Sequence, residues 1–295
     1  MSTQVLSQIF AENKYLVGLR KIVVGHDFSE TADHALVDAI ALAGRFNSEI
    51  VIAHIEAREA NDFEFPSSHE LDDRTLIEME NRLRRVVSAG HQCKKIIRFG
   101  DAATILAEIS REEGAELLLL GAYGDGPKDR KTLGRTAELL LRSVPCPVLT
   151  HGPEMTRSLF QDREPSSILV PIELPCDPRH LVFAVSVAKL FKAKLEILHV
   201  VDMNRALSMP HAFQDMQYTC EQIATFLRQE GMSVAGSLLF GNPAAAILSR
   251  SQELHSSLIM MPLETRGFLS SATSDNVAAN VIQSAEVPVM TYRLD

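Results

Sequence analysis

The feature that most narrows the possible folds of this chain is an internal repeat. The short run Lys21-Ile-Val-Val-Gly-His-Asp27 has a counterpart in Ser167-Ile-Leu-Val-Pro-Ile-Glu173. A helical pattern follows each, Ala32 to Phe46 in the first copy and Arg179 to Phe191 in the second. Glu49-Ile-Val-Ile-Ala-His54-Ile then matches Lys194-Leu-Glu-Ile-Leu-His199-Val, and Ile96-Ile-Arg-Phe99-Gly100-Asp101 matches Ser237-Leu-Leu-Phe240-Gly241-Asn242. Leu117-Leu-Leu-Leu120 matches Leu258-Ile-Met-Met261, and Pro145-Cys-Pro-Val-Leu-Thr150 matches Glu286-Val-Pro-Val-Met-Thr291. Matches in one order at a nearly constant offset mean a duplicated unit.

Each copy alternates strand and helix, beginning and ending on a strand. The strands are continuous apolar runs, as expected of parallel strands covered on both faces. Right-handed crossovers then predict two α/β domains, each a doubly wound, Rossmann-like parallel sheet. The expected boundaries are an N-terminal extension over 1–20, a first domain over 21–150, a linker over 151–166 and a second domain over 167–295. Val5, Leu6, Ile9, Phe10 and Leu16 have helical spacing, so the extension reads as a docked helix. A length of 295 residues agrees with two domains.

Composition excludes several classes. No run approaches the ~18 apolar residues of a membrane span, and the N-terminus lacks the pattern of a secretory signal. The four cysteines form no Cys-x-x-Cys pair, so reduced thiols in a cytoplasm are expected. A net charge of −9 argues against a general nucleic-acid binder. The basic residues are nevertheless uneven. Residues 1–150 hold 18 of the 29 Lys and Arg, which directs the search for an anion site to the first copy.

In doubly wound sheets ligands bind beyond the carboxyl ends of the strands, at the switch point. That places Gly25, His26, Asp27, Ile55 and Leu120 at the expected site. After Leu120 comes Gly121-Ala-Tyr-Gly124-Asp-Gly-Pro-Lys128-Asp-Arg130-Lys131-Thr-Leu-Gly134-Arg135-Thr136. Gly121 and Gly124 admit close backbone approach. Gly134 opens a helix whose first N–H groups have no internal partners, a ready anion site. Lys128, Arg130, Lys131 and Arg135 surround it with positive charge, and the Thr136 hydroxyl adds a donor. The order of glycines is neither that of a Walker A loop nor that of a dinucleotide fingerprint.

These residues resemble the universal stress protein family, in a tandem form. Its ATP-binding members carry G-x2-G-x9-G-[S/T] after the fourth strand. Gly121, Gly124 and Gly134 stand at that spacing, and Gly25-His26-Asp27-Phe28-Ser29-Glu30 is similar to the family's opening. The resemblance covers roughly residues 20–150 and 166–294. It implies a five-stranded parallel sheet of the adenine nucleotide alpha-hydrolase-like kind, with domains pairing through their last strands. It further implies an adenine nucleotide such as ATP or AMP; Mg2+ is a candidate companion, for which Asp125 and Asp129 are the carboxylates the loop offers. By the same carry-over Asp27 and Ile55 contact the adenosine, Leu120 to Gly124 run beside it, and Gly134 to Thr136 hold phosphate. Arg135 departs from the family's [S/T], so it either strengthens the phosphate site or fills it. In the second copy Pro262, Thr265 and Asp275 replace the three glycines, and Glu173 replaces Asp27.

The resulting expectation is a stress-response sensor that binds one nucleotide in its first domain, with a mainly structural second domain. A homodimer and an unidentified protein partner are expected with it. The alternatives are a slow ATPase or phosphoryl-transfer protein, and an interaction module in which Arg135 closes the pocket. Phe268, Leu269, Met203, Met209 and Met216 would line any apolar site in the second half. His26, Asp27 and Ser29 are too close in sequence for a catalytic triad. His34 and Asp38 lie four apart and read as a solvated helix face rather than a metal site. Arg82, Arg84 and Arg85 likewise read as solvated, beside Glu78 and Glu80. His54 and His199, retained in both copies, read as structural.

Overall fold

A computed structural model describes residues 18–56, 73–123, 133–155, 165–202, 212–263 and 277–293, together with Gln8 and Phe160. Apart from Gln8 and residues 18–20, the expected N-terminal extension falls outside these residues. The chain divides into two compact units, Leu19–Gln161 and Asp162–Asp295, the latter grouped with Met1–Gly18.

The first unit runs β1 (Lys21–Gly25), α1 (Glu30–Phe46), β2 (Glu49–Glu56), α2 (Asp73–Ser88), β3 (Cys93–Phe99), α3 (Ala102–Glu112), β4 (Leu117–Gly121), α4 (Arg135–Ser143) and β5 (Val148–His151). Its strands lie in the order β3-β2-β1-β4-β5, all parallel. The second unit repeats this with β6 (Ser167–Pro171), α5 (Pro178–Phe191), β7 (Lys194–Val201), α6 (Ala212–Gln229), β8 (Val234–Phe240), α7 (Pro243–Glu253), β9 (Leu258–Pro262), α8 (Val277–Ser284) and β10 (Val289–Tyr292). Its order is β8-β7-β6-β9-β10, again parallel. Each unit is therefore the expected five-stranded doubly wound sheet. β5 extends to His151, one residue past the expected boundary at 150.

The apolar runs become the cores. Ile22, Val23, Val24 and Leu117 to Leu119 are buried in the first unit, as are Ile168 to Val170 and Leu258 to Met260 in the second. Both faces of a central strand are covered, so alternation has no place in its sequence. The repeated Phe-Gly-[Asp/Asn] has an equally local cause. Gly100 and Gly241 sit at φ +135° and +131°, where side chains are disfavoured. The next residue then caps a helix: Asp101 accepts from the Thr104 N–H and Asn242 from the Ala245 N–H, each at 3.0 Å. Ser29 caps α1 in the same way, accepting from the Ala32 N–H.

Gly25 pairs with Ala53 on one side and with Leu120 on the other. β1 is thus the strand from which the chain first steps one way, to β2, and later the other way, to β4. The switch point lies between β1 and β4, where the crossovers diverge and leave a crevice at the carboxyl ends.

Candidate functional site

The crevice is built on a strained turn. Phe28, directly after the β1 segment, adopts φ +66°, a conformation that costs a non-glycine residue roughly 1–2 kcal/mol. Two local bonds hold it. The Phe28 N–H donates to His26 Nδ1 at 3.0 Å, and the Ser29 N–H donates to Asp27 Oδ1 at 3.1 Å. Ser29 Oγ also donates to Asp27 Oδ1, at 2.5 Å. Ser29 thus serves Asp27 and the cap of α1, while His26 turns elsewhere, so the three form no triad. Asp27 itself is exposed.

The Phe28 ring stacks on His54, with centroids 4.2 Å apart, and the Arg82 guanidinium lies 5.1 Å from its centroid. His54 Nδ1 donates to the His26 carbonyl at 2.7 Å, which ties the end of β2 to the turn after β1. In the second unit His199 Nδ1 donates to the Ile172 carbonyl at 2.9 Å. The repeated histidine is thus one structural staple made twice.

Asp33, in the first turn of α1, gathers the cations of α2. It accepts from Arg82 Nη2 at 3.1 Å and from Arg85 Nη1 at 2.7 Å, with His26 Nε2 at 3.4 Å. Burial pushes the Asp33 carboxyl up, but the His26 N–H, Arg82 and Arg85 outweigh it and bring it down to about 2. The expectation of a solvated arginine face is therefore corrected at Arg82, whose side chain is almost buried against Asp33 and Glu78. Arg84, beside Glu80, stays exposed as expected.

The far wall is the start of the glycine loop. A Cβ on Gly121 would overlap Thr31 Oγ1 and lie 3.0 Å from Thr31 Cβ and 3.1 Å from the Ala32 nitrogen. The strand end is therefore pressed onto the first turn of α1. Thr31 Oγ1 fastens the contact by donating to the Tyr123 carbonyl at 3.0 Å. The Gly134 N–H donates to the Ala122 carbonyl at 3.0 Å, and a Cβ on Gly134 would come within 2.9 Å of that oxygen. The neck of the loop is therefore closed at Ala122 and Gly134. Gly134 is the cap residue of α4 and offers no side-chain bond. Gly134 thus leaves the first N–H groups of α4 without a side-chain cap of its own, and a helix start of this kind suits a bound anion. Thr136 is half-buried and Arg135 exposed.

Nine of the expected residues thus meet at one end of the sheet: Gly25, His26, Asp27, Ile55, Leu120, Gly121, Gly134, Arg135 and Thr136. Ile55, half-buried at the end of β2, follows the His54 that is tied to His26. Gly124 and Lys128 lie outside the described residues, as do Asp125, Asp129, Arg130 and Lys131. Sequence reasoning missed Thr31, Phe28 and the Asp33–Arg82–Arg85 cluster. It also took Asp38 for a solvated residue, whereas Asp38 is fully buried and bonded to His151. No group of three or more His, Cys, Asp or Glu side chains that could hold a metal occurs among the described residues. No helix among them is long and apolar enough to cross a membrane.

The second unit differs where it matters. Aligned at Phe46 and Phe191, α5 begins three residues later than α1, nearly one turn. The turn against which Gly121 packs is missing there, and Pro262 is accommodated in place of the glycine. Thr265, Asp275, Phe268, Leu269, Met203 and Met209 lie outside the described residues.

Comparison with known proteins bears on the family and the fold. The Universal stress protein family matches residues 18–150 and again 166–293. A universal stress protein of Methanocaldococcus jannaschii is 25% identical over 150 residues, which span 44% of this chain and 93% of that one. The structure of a universal stress protein from Archaeoglobus fulgidus is 19% identical, covers 95% of this chain and 98% of its own, and has a TM-score of 0.68. A functionally unknown protein from Pseudomonas aeruginosa, 21% identical, covers 95% and 94% with a TM-score of 0.65. At these identities the structural likenesses establish the fold.

Proposed function

Because the chain belongs to the universal stress protein family in both of its halves, we propose that it is a stress-response sensor whose first unit binds one adenine nucleotide. The observation that carries the proposal is the pairing of the β1–β4 crevice with the start of α4 at Gly134, a residue with no side-chain cap. The crevice offers an apolar wall at Ile55 and Leu120 and a carboxylate at Asp27. The α4 terminus, with Arg135 and Thr136, offers N–H, guanidinium and hydroxyl donors to phosphate. Lys128 and Gly124, with the rest of the loop, would complete the cradle, and Mg2+ would accompany the phosphates.

The second unit lacks these parts. Pro262 and Glu173 stand at the positions of Gly121 and Asp27, so its role is structural. Pairing of two such chains, and a protein partner that reads the occupied site, belong to the same proposal. Binding rather than turnover is the reading favoured because the loop sequence offers Asp125 and Asp129 near the phosphates but no identifiable water-positioning base.

Isothermal titration of the intact protein with ATP and Mg2+ tests the reading. It expects a saturable binding curve with about one equivalent per chain, and no phosphate release above background. Absence of heat with an unmoved melting temperature refutes nucleotide binding. Sustained release that disappears in Gly124→Val would make the protein an ATPase instead.

A further inference from the structure

One buried polar pair is left over once the crevice is accounted for. Asp38 on α1 and His151 at the end of β5 both have fully buried side chains. His151 Nε2 donates to Asp38 Oδ2 at 2.7 Å. Asp38 Oδ1 accepts the backbone N–H of Phe160, at 2.8 Å, from the segment that follows β5. The main chain of His151 is engaged as well. Its carbonyl accepts the Ala122 N–H at 2.9 Å, and the Ala122 carbonyl accepts the Gly134 N–H at 3.0 Å.

These bonds close a ring. It runs from α1 through Asp38 to His151, from His151 to Ala122, along the chain to Tyr123, and back to α1 through Thr31 Oγ1. One side of the ring is the neck of the glycine loop. The other is the seat of Phe160.

The second unit shows that the fold does not require the pair. Aligning Phe46 with Phe191 and Thr150 with Thr291 puts Phe183 at the place of Asp38 and Tyr292 at that of His151. Their rings pack with centroids 4.4 Å apart, and the Tyr292 hydroxyl donates to the His180 carbonyl at 3.1 Å. A buried polar pair pays desolvation that packed rings avoid. The polar version occurs in the unit whose loop is intact, and the aromatic version in the unit whose loop is degenerate.

We propose that Asp38 and His151 couple the seat of Phe160 to the neck of the loop, so that a ligand in the first unit's crevice and seating of Phe160 on Asp38 reinforce each other. With both side chains fully buried, Asp38 and His151 act as positioning residues, and Phe160, which Asp38 holds, lies in the chain between β5 and β6. The ligand arm rests on the nucleotide reading above, whereas the coupling of seat to neck does not.

The test is amide hydrogen exchange on the intact chain. It compares wild type with Asp38→Asn and with the double variant Asp38→Phe/His151→Tyr. The double variant copies a pair that the same fold already accepts, so it keeps the test decisive if the single variant fails to fold. Without ligand, exchange at Phe160 is expected to rise about tenfold in the double variant, the scale of one lost charge-assisted bond. Exchange at Ala122 is expected to rise with it, while Ile22 to Val24 stay at wild-type rates. A faster Phe160 with an unchanged Ala122 overturns the coupling, as does no change at either. With ATP and Mg2+, Phe160 is expected to slow in wild type but not in the double variant. Calorimetric binding that leaves Phe160 unchanged overturns the ligand arm. If wild type binds no nucleotide, the functional reading fails, and the ligand-free arm still decides the coupling.

Discussion

Replacing Gly121 by alanine would strike the site at its tightest contact. The new methyl group would overlap Thr31 Oγ1 and sit 3.1 Å from the Ala32 nitrogen, which belongs to the backbone of α1 and has little room to move. Overpacking of this kind costs about 1–3 kcal/mol. Rotating Thr31 away would relieve part of the overlap but break its bond to the Tyr123 carbonyl, a further ~1 kcal/mol. The expected loss is therefore about 2–4 kcal/mol, or roughly 5–15 °C in the melting temperature of a unit this size. Differential scanning calorimetry of the intact protein measures it. In a Thr31→Ala background the hydroxyl is gone, so the cost of Gly121→Ala should fall by about 1 kcal/mol, a coupling that a double-mutant cycle resolves. If Gly121→Ala melts with wild type, or costs the same with and without Thr31, the strand end is not pressed onto α1 as described.

Other perturbations test separate parts of the account. Asp33 has a folded-state pKa of about 2, below its ordinary 3.8, so its contribution is complete above the unfolded value and is lost as pH falls from about 4 to about 2. Asp33→Asn should cost about 1–2 kcal/mol at pH 7 after allowance for solvent screening, and should flatten the acid limb of the stability curve over that window. His54→Ala and His199→Ala should each destabilise their own unit by about 1–3 kcal/mol in urea unfolding, since each leaves a buried carbonyl without its donor. Burial pushes the thiol of Cys146 up to about 12. It pushes Cys93 and Cys220 up to about 11, aided by Glu49 and Glu221 respectively. These three should resist iodoacetamide at neutral pH in the native protein, and rapid alkylation read by mass spectrometry would contradict the packing around them.

What the sequence disclosed and what it withheld divide by the range of the interaction. The strands around Val23 and Leu118 are set by residues close together in the chain, and the duplication shows as those local patterns recurring in one order. Their patterns could be read directly. Gly25, Leu120 and Gly134 could be placed at one end of the sheet because parallel topology leaves few choices. Asp38 was misread for the opposite reason. Its partner stands 113 residues away at His151, and although Ala35 and Leu42 share its face of the helix and are buried, His34 four residues earlier gives that face a solvated look. Asp33, four residues before a lysine or arginine on neither side, gave no sign that Arg82 and Arg85 would reach it from another helix. Phe28 announced nothing, since a left-handed phenylalanine is legible only once His26, Asp27 and His54 surround it. The loop glycines were read as room for a ligand. Gly121 and Gly134 also have a steric cause in the protein itself, at Thr31 and at the Ala122 carbonyl.

The central proposal is that the first unit alone holds an anion at the start of α4, at Gly134. A matched pair of substitutions at Gly134 tests it most directly. Gly134→Ala adds the Cβ that crowds the Ala122 carbonyl, and Gly134→Asp adds the same Cβ plus a cap and a negative charge where phosphate would sit. Calorimetric titration of both variants with ATP and Mg2+ separates strain from electrostatics. The account predicts about one equivalent bound by wild type, weakened binding by Gly134→Ala, and at least a further tenfold loss in Gly134→Asp, about 1.4 kcal/mol or more. Equal affinities for the two variants, or undiminished binding by Gly134→Asp, would place the nucleotide elsewhere and contradict the account.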